Sequence, residues 1–219
     1  MKKILLSSLV IAALTGCGTP PPVVKTLTDT GTLNAKTVAH TKRVVPHVGT
    51  VKASAVAFGL IGALAVKDQG NNLVTSVKAP DPAVEITRQL LELMHANRGT
   101  QPASGSVWAE PDATPEHIAA AGNGNAQYVL DISTRAWMLS YFPTDWNHYR
   151  LNYWADARLI ETATKTVVAS GKCERIPASS VGAPTWDQLA LNDGAILKRE
   201  IALSVEACVA TLKKDMLAL

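Results

Sequence analysis

The sequence predicts an α+β protein: a mixed sheet with an antiparallel three-strand meander, helices packed on one face, and a long C-terminal helix. Three observations carry this. Residues 148–159 alternate strictly, with Tyr149, Leu151, Tyr153, Ala155, Ala157 and Leu159 on one side. Arg150, Asn152, Trp154, Asp156 and Arg158 take the other, the period-two pattern of a half-buried strand. β-forming runs flank it, 128–142 before and 166–173 after, with 160–165 as the second turn, so the three strands form hairpins. Finally, Leu189, Ile196, Leu197, Ile201, Val205, Cys208, Val209 and Leu212 recur at helical spacing over 189–217.

The elements ahead of the meander follow from punctuation. Residues 68–82 are dense in Gly, Asn, Asp and Pro and mark an internal boundary, so the α+β domain is expected over 80–219. Asp81 as N-cap, Pro82 at the first helical position and Glu85 in the first turn start a helix. Its apolar stripe (Val84, Ile86, Leu90, Leu91, Leu93, Met94) runs to about residue 96 before Asn97-Arg98-Gly99 ends it. A short strand is expected at 106–108. Thr114-Pro115-Glu116-His117 repeats the start pattern, and Gly122-Asn123-Gly124-Asn125 stops that second helix. Residues 174–186 read as a Pro/Ser/Gly-rich loop.

The N-terminus speaks of address. Lys2 and Lys3 precede the apolar stretch 4–14, too short to span a hydrocarbon core of roughly 30 Å. Leu14-Thr15-Gly16-Cys17 follows, and these four residues resemble the lipobox of bacterial lipoproteins. The resemblance implies that Cys17 is acylated, palmitate-type chains included, and becomes the first mature residue once the 1–16 signal peptide is removed. Gly rather than Asp at position 18 implies sorting to the outer membrane, facing the periplasm. Residues 17–52 are then a lipidated N-terminus and extended linker, with 44–51 an edge strand or tail. Residues 53–66 (ASAVAFGLIGALAV) form an apolar small-residue helix, with Ala55, Gly59 and Ala63 spaced for close approach. A core helix, a membrane or oligomer contact, and a buried strand all remain open for this run.

Charge and cysteine usage agree with that compartment. Taking the two signal lysines from 21 basic residues leaves 19 against 18 acidic, and no like-charge block occurs, which argues against nucleic acid as a partner. Beyond Cys17 only Cys173 and Cys208 remain. In an oxidising space such a pair favours a structural disulfide over a reactive thiol or metal ligand, since neither sits in a Cys-x-x-Cys or Cys/His cluster. Cys208 lies on the C-terminal helix's apolar stripe, whose packing on the sheet brings it towards Cys173.

Two phrases over 120–173 resemble a theme of envelope lipoproteins. One is AAGNGNAQYVL (120–130), where a helix ends and a strand begins; the other is ARLIETATKTVVASG (157–171), a hairpin. Lipoproteins of the curli-secretion-channel type and activators of penicillin-binding proteins share that look. Glu161 and Lys165 depart from the usual Asp and Gly. The resemblance implies fold, and it transfers no functional residue.

Signals of catalysis are missing. The five histidines are scattered, the Gly-x-Ser-x-Gly frame and the P-loop are absent, and Asp145–His148 is a turn pair lacking a third ligand. Asp131, Arg135, Asp156 and Arg158 read as cross-strand ion pairs. No enzyme, metal or cofactor is expected. Seven of the eleven aromatics fall between 137 and 154. Trp137, Trp146 and Trp154 are therefore the candidate binding surface, for an envelope protein or a second copy, or alternatively for a small ligand or cell-wall glycan.

Overall fold

The computed structural model describes residues 24–52 and 68–219. The lipobox, Cys17 and the 53–66 run lie outside them. In chain order the described elements are a 3₁₀ turn (Thr30–Leu33), β1 (Thr37–Arg43), β2 (Gly49–Val51), α1 (Gln69–Ser76), α2 (Pro82–Arg98), β3 (Gln101–Pro102) and β4 (Val107–Ala109). They continue with α3 (Pro115–Gly122), β5 (Tyr128–Phe142), β6 (Asp145–Glu161), β7 (Thr166–Arg175) and α4 (Trp186–Asp215). The fold class is the expected one.

The sheet runs β3-β1-β5-β6-β7, with β2 also against β5 and β4 also against β1. β5, β6 and β7 are the antiparallel meander, with Ile132 opposite Ala157 and Ala155 opposite Cys173. The six alternating residues of β6 all point into the main apolar core. Neighbouring β1 is parallel to β5, Ala39 standing opposite Val129.

α2 and α4 pack side by side over β5–β7 on this core face. α3 lies against the opposite face, where Ala39, Val107, Ile118, Val129 and Ile160 form a second, smaller cluster. The caps are those the sequence implies. Asp81 accepts from the Ala83 amide (3.0 Å), Thr114 from His117 (3.4 Å), and Gly99 ends α2 in the left-handed region at φ 65°. Cys173 and Cys208 are disulfide-bonded, their Cα atoms 5.2 Å apart across a separation of 35 residues. Nearby, α4 approaches so closely that a Cβ on Gly171 would lie 2.7 Å from Leu212.

Three expectations are corrected. The linker does not extend to residue 52: β1 sits inside the sheet and Ala39 and Val38 are buried. Its two faces are both partly covered, so the run TVAHTKR lacks the alternation that reveals a one-sided strand. The 68–82 boundary contains α1, folded over β2. The C-terminal helix is broken at 191–194, where Leu191 is extended and Asn192, Asp193 and Gly194 take positive φ of 52°, 55° and 71°. Local Asn-Asp-Gly chemistry tolerates the left-handed region and interrupts the helical path.

The N-terminal strap closes the other edge. Lys25 exchanges two 2.8 Å backbone bonds with Ser170 of β7, and the Leu27 amide donates to the Met216 carbonyl.

Candidate functional site

β5 and β6 outrun their neighbours and meet in a tight turn at Phe142–Asp145. The hairpin tip therefore projects from the sheet's end, and this decides where the aromatics go. Trp146 stands at the tip, 63% exposed, edge-on to Tyr141 with ring centres 6.2 Å apart. Its indole N–H donates to the Pro143 carbonyl at 3.2 Å, which fixes the ring's pose without covering it.

Polar groups frame that ring. His148 Nδ1 and Asp145 Oδ2 are 2.6 Å apart, and Asn147's amide donates to the same carboxylate at 3.3 Å. Partial burial works against the charged Asp145, but His148, Asn147 and Ser180 outweigh it, so its carboxyl sits below the usual range. The 176–184 loop folds beside the tip, held by Arg150 donating to the Pro177 carbonyl (2.7 Å) and Tyr149's amide to Pro184's (2.8 Å). Val181 at its crest is 93% exposed.

The three tryptophans do not form one surface. Trp137 is 2% exposed and belongs to the core, its N–H donating to Pro46's carbonyl at 2.8 Å. It shares the core-facing side of the meander, so alternation placed it there rather than outside. Trp154 is half-buried, bonded to Glu174 (3.2 Å), and eight strand positions from Trp146, about 26 Å along the backbone. Only Trp146 remains as an exposed aromatic at the tip. Trp108 of β4, which carried no signal in the sequence, is 53% exposed on the other side of the sheet.

The charged residues of β5 and β6 resolve into a structural clamp. Asp131, 1% exposed, accepts from Thr41 (2.7 Å), from Arg43 Nε (2.7 Å) and from Arg158 (2.6 and 2.9 Å). Burial alone would raise its pKa, but the two guanidinium groups and the Thr41 hydroxyl more than offset this and lower it. Both arginines also reach loop carbonyls, of Glu110 (2.8 Å) and Ala113 (3.3 Å). Every oxygen of the carboxylate is engaged, which suits a fastening and leaves no lone pair for chemistry. Arg135 and Asp156 take no part.

A polar line missed by the sequence reading lies under α2. Asp81 Oδ1 accepts from the Thr134 hydroxyl, which is 2.9 Å from the Tyr153 hydroxyl. Burial raises both the Asp81 and the Tyr153 pKa. Thr134 of β5 bonds directly to the α2 cap 53 residues earlier in the chain, a pairing that needs the fold to be seen. Among the described residues no three metal-ligating side chains come together, and no helix is long and apolar enough to cross a membrane.

No protein-family model and no curated protein sequence matches the chain. Solved structures to which it is similar include the C-terminal domain of LpoB from Salmonella enterica, at 14% identity over 66% of this chain and 84% of that one, with a TM-score of 0.28. Protein XCC0632 from Xanthomonas campestris gives 12% identity over 88% and 92%, TM-score 0.36. Lipoprotein GNA1162 from Neisseria meningitidis gives 16% over 78% and 98%, TM-score 0.28. Bacterial lipoproteins are thus among the structural neighbours, and none carries a residue role to this chain.

Proposed function

We propose that the protein is a non-enzymatic lipoprotein, held by Cys17 at the outer membrane on its periplasmic side, that binds another envelope protein through the β5–β6 tip. The observation that carries this reading is Trp146: a large aromatic, fixed in pose by Tyr141 and Pro143, yet exposed at the end of a long hairpin. Such an amphipathic ring with little conformational freedom left to lose is the side chain that anchors protein interfaces. Exposed Val181 on the neighbouring 176–184 loop adds an apolar group at this end of the hairpin, and Asp145, Asn147 and His148 supply a polar rim.

A photo-reactive amino acid at position 147, irradiated in intact cells, tests the reading. A discrete crosslinked protein that disappears with Trp146→Ala supports it; uncrosslinked monomer alone overturns it. A crosslink to a second copy supports self-association by the same surface. The polar groups around Trp146 also favour a glycan reading. In that case peptidoglycan fragments change the tip's tryptophan fluorescence and Trp146→Ala removes the change. Intact mass of the N-terminal peptide decides the anchor: acyl chains on Cys17 support it, and a free thiol there excludes it.

A further inference from the structure

α2 covers β5, α4 covers β6 and β7, and among the described residues no helix lies over β1 on that face of the sheet. A trench results. Its upper part is a cavity of about 440 Å³ with Ile132 as floor, His40 and Val45 on one wall and Ala83, Val84 and Leu91 on the other. Leu91 also lines the next cavity, of about 410 Å³, which continues past Val38 to His95 and Pro102. The two form one slot running along α2. Apolar groups dominate it, and its rim exposes apolar side chains that a solvated surface has no need of. Val84 is 66% exposed, and Trp108, on the same sheet face as its register partner Lys42, is more than half exposed.

The charges along the slot are settled in an uneven way. Arg88 is spent on Glu85 and Glu92. Arg43 turns to Asp131 on the opposite face. Asp81, on the inner wall, is engaged by Thr134 and by the Ala83 amide. Burial pushes the His40 pKa down, which favours its neutral form. Lys42 is different: exposed at the upper rim, it makes no hydrogen bond or ion pair among the described residues. A slender apolar slot with one uncommitted cation at its mouth is complementary to a molecule with an apolar tail and a single anionic head. Each part offers about 400 Å³ of mostly apolar lining, which suits an unbranched hydrocarbon chain.

We infer that the α2–β1 trench binds a single-chain anionic amphiphile, its tail along Ile132, Leu91 and Val38 and its head on Lys42. The site is separate from the hairpin tip and stands whether or not the tip binds a protein.

The test uses the full-length protein in isolated envelope vesicles. Photo-reactive probes are a fatty acid, a lysophosphatidylglycerol and an uncharged fatty alcohol, each carrying the reactive group on its tail. Saturable labelling on peptides containing Leu91 and His40 is expected, and the better anionic probe identifies a carboxylate or a phosphate head. Lys42→Glu lowers labelling by the anionic probes about ten-fold, the worth of one charge-assisted contact, and leaves the alcohol unchanged. Leu91→Trp, which fills the slot where its two parts join, abolishes all three. Because Lys42 is exposed, its variant decides the matter even if Leu91→Trp misfolds. Labelling scattered over the surface, equal labelling of the Lys42 variant, or a polypeptide crosslinked into the slot each overturns the inference.

Discussion

The two sides of the sheet are secured in different ways. On the meander side, β5–β7 lie under two helices, with Leu130, Leu151, Tyr153 and Leu159 fully buried and the Cys173–Cys208 bond fixing α4. On the β1 side no described helix covers that face, and the parallel strand is held from behind by Asp131 and its two arginines. Apolar contact and a covalent bond do the first task, and a buried charge cluster does the second. The comparison teaches that one sheet can be fastened by apolar packing on one side and by buried polar bonds on the other.

The sharpest way to break the comparison is Asp131→Ala. It strands two partly buried guanidinium groups, and the expected loss is about 3–5 kcal/mol in urea unfolding, with amide-exchange protection lost first in β1 and β4. Unchanged exchange in β1 would mean that the clamp is not what holds that side. Removing the disulfide by Cys173→Ser with Cys208→Ser comes next, about 3–4 kcal/mol, felt in α4 and β7 and not in β1. Acid should act like the first variant. Asp131's folded pKa lies below its unfolded value, so its contribution is complete above about pH 4 and is lost as pH falls through the folded value. Amide exchange during an acid titration should therefore show β1 loosening before the meander. A smaller, opposite effect is expected for Asn192→Gly, which relieves a left-handed backbone at φ 52° and should stabilise by up to about 1 kcal/mol in thermal melts. Trp146→Ala is the smallest, within about 0.5 kcal/mol, whereas Trp137→Ala costs about 3–5 because it empties the core.

The same division explains what could be read beforehand. Antiparallel β6, one face in the core and the other outside it, writes its burial as alternation, so the meander, the Tyr149–Leu159 face and the cysteine pair were all legible. β1 has contacts on both faces and parallel neighbours more than sixty positions away, so Thr37–Arg43 looked like linker. Trp137 and Trp146 are equally aromatic, and only the position of the hairpin turn decides that one fills the core and the other leaves it. The trench left no trace in the sequence because its walls come from β1 and α2, about forty positions apart in the chain. Its walls, Val84 and Leu91, read as an ordinary amphipathic stripe.

The strap at Lys25 has a mechanical side. If the protein is tethered at Cys17, any pull between membrane and partner reaches the described residues at residue 24. The first described bonds to bear it are the Lys25–Ser170 pair, an isolated bridge at the sheet's edge. Yielding there passes the load to the Leu27–Met216 bond and to buried Leu27 and Leu33 before it reaches β1 in the interior of the sheet. The edge contact thus takes tension first and the buried leucines take it next, while the hairpin tip and the trench lie away from the line of force.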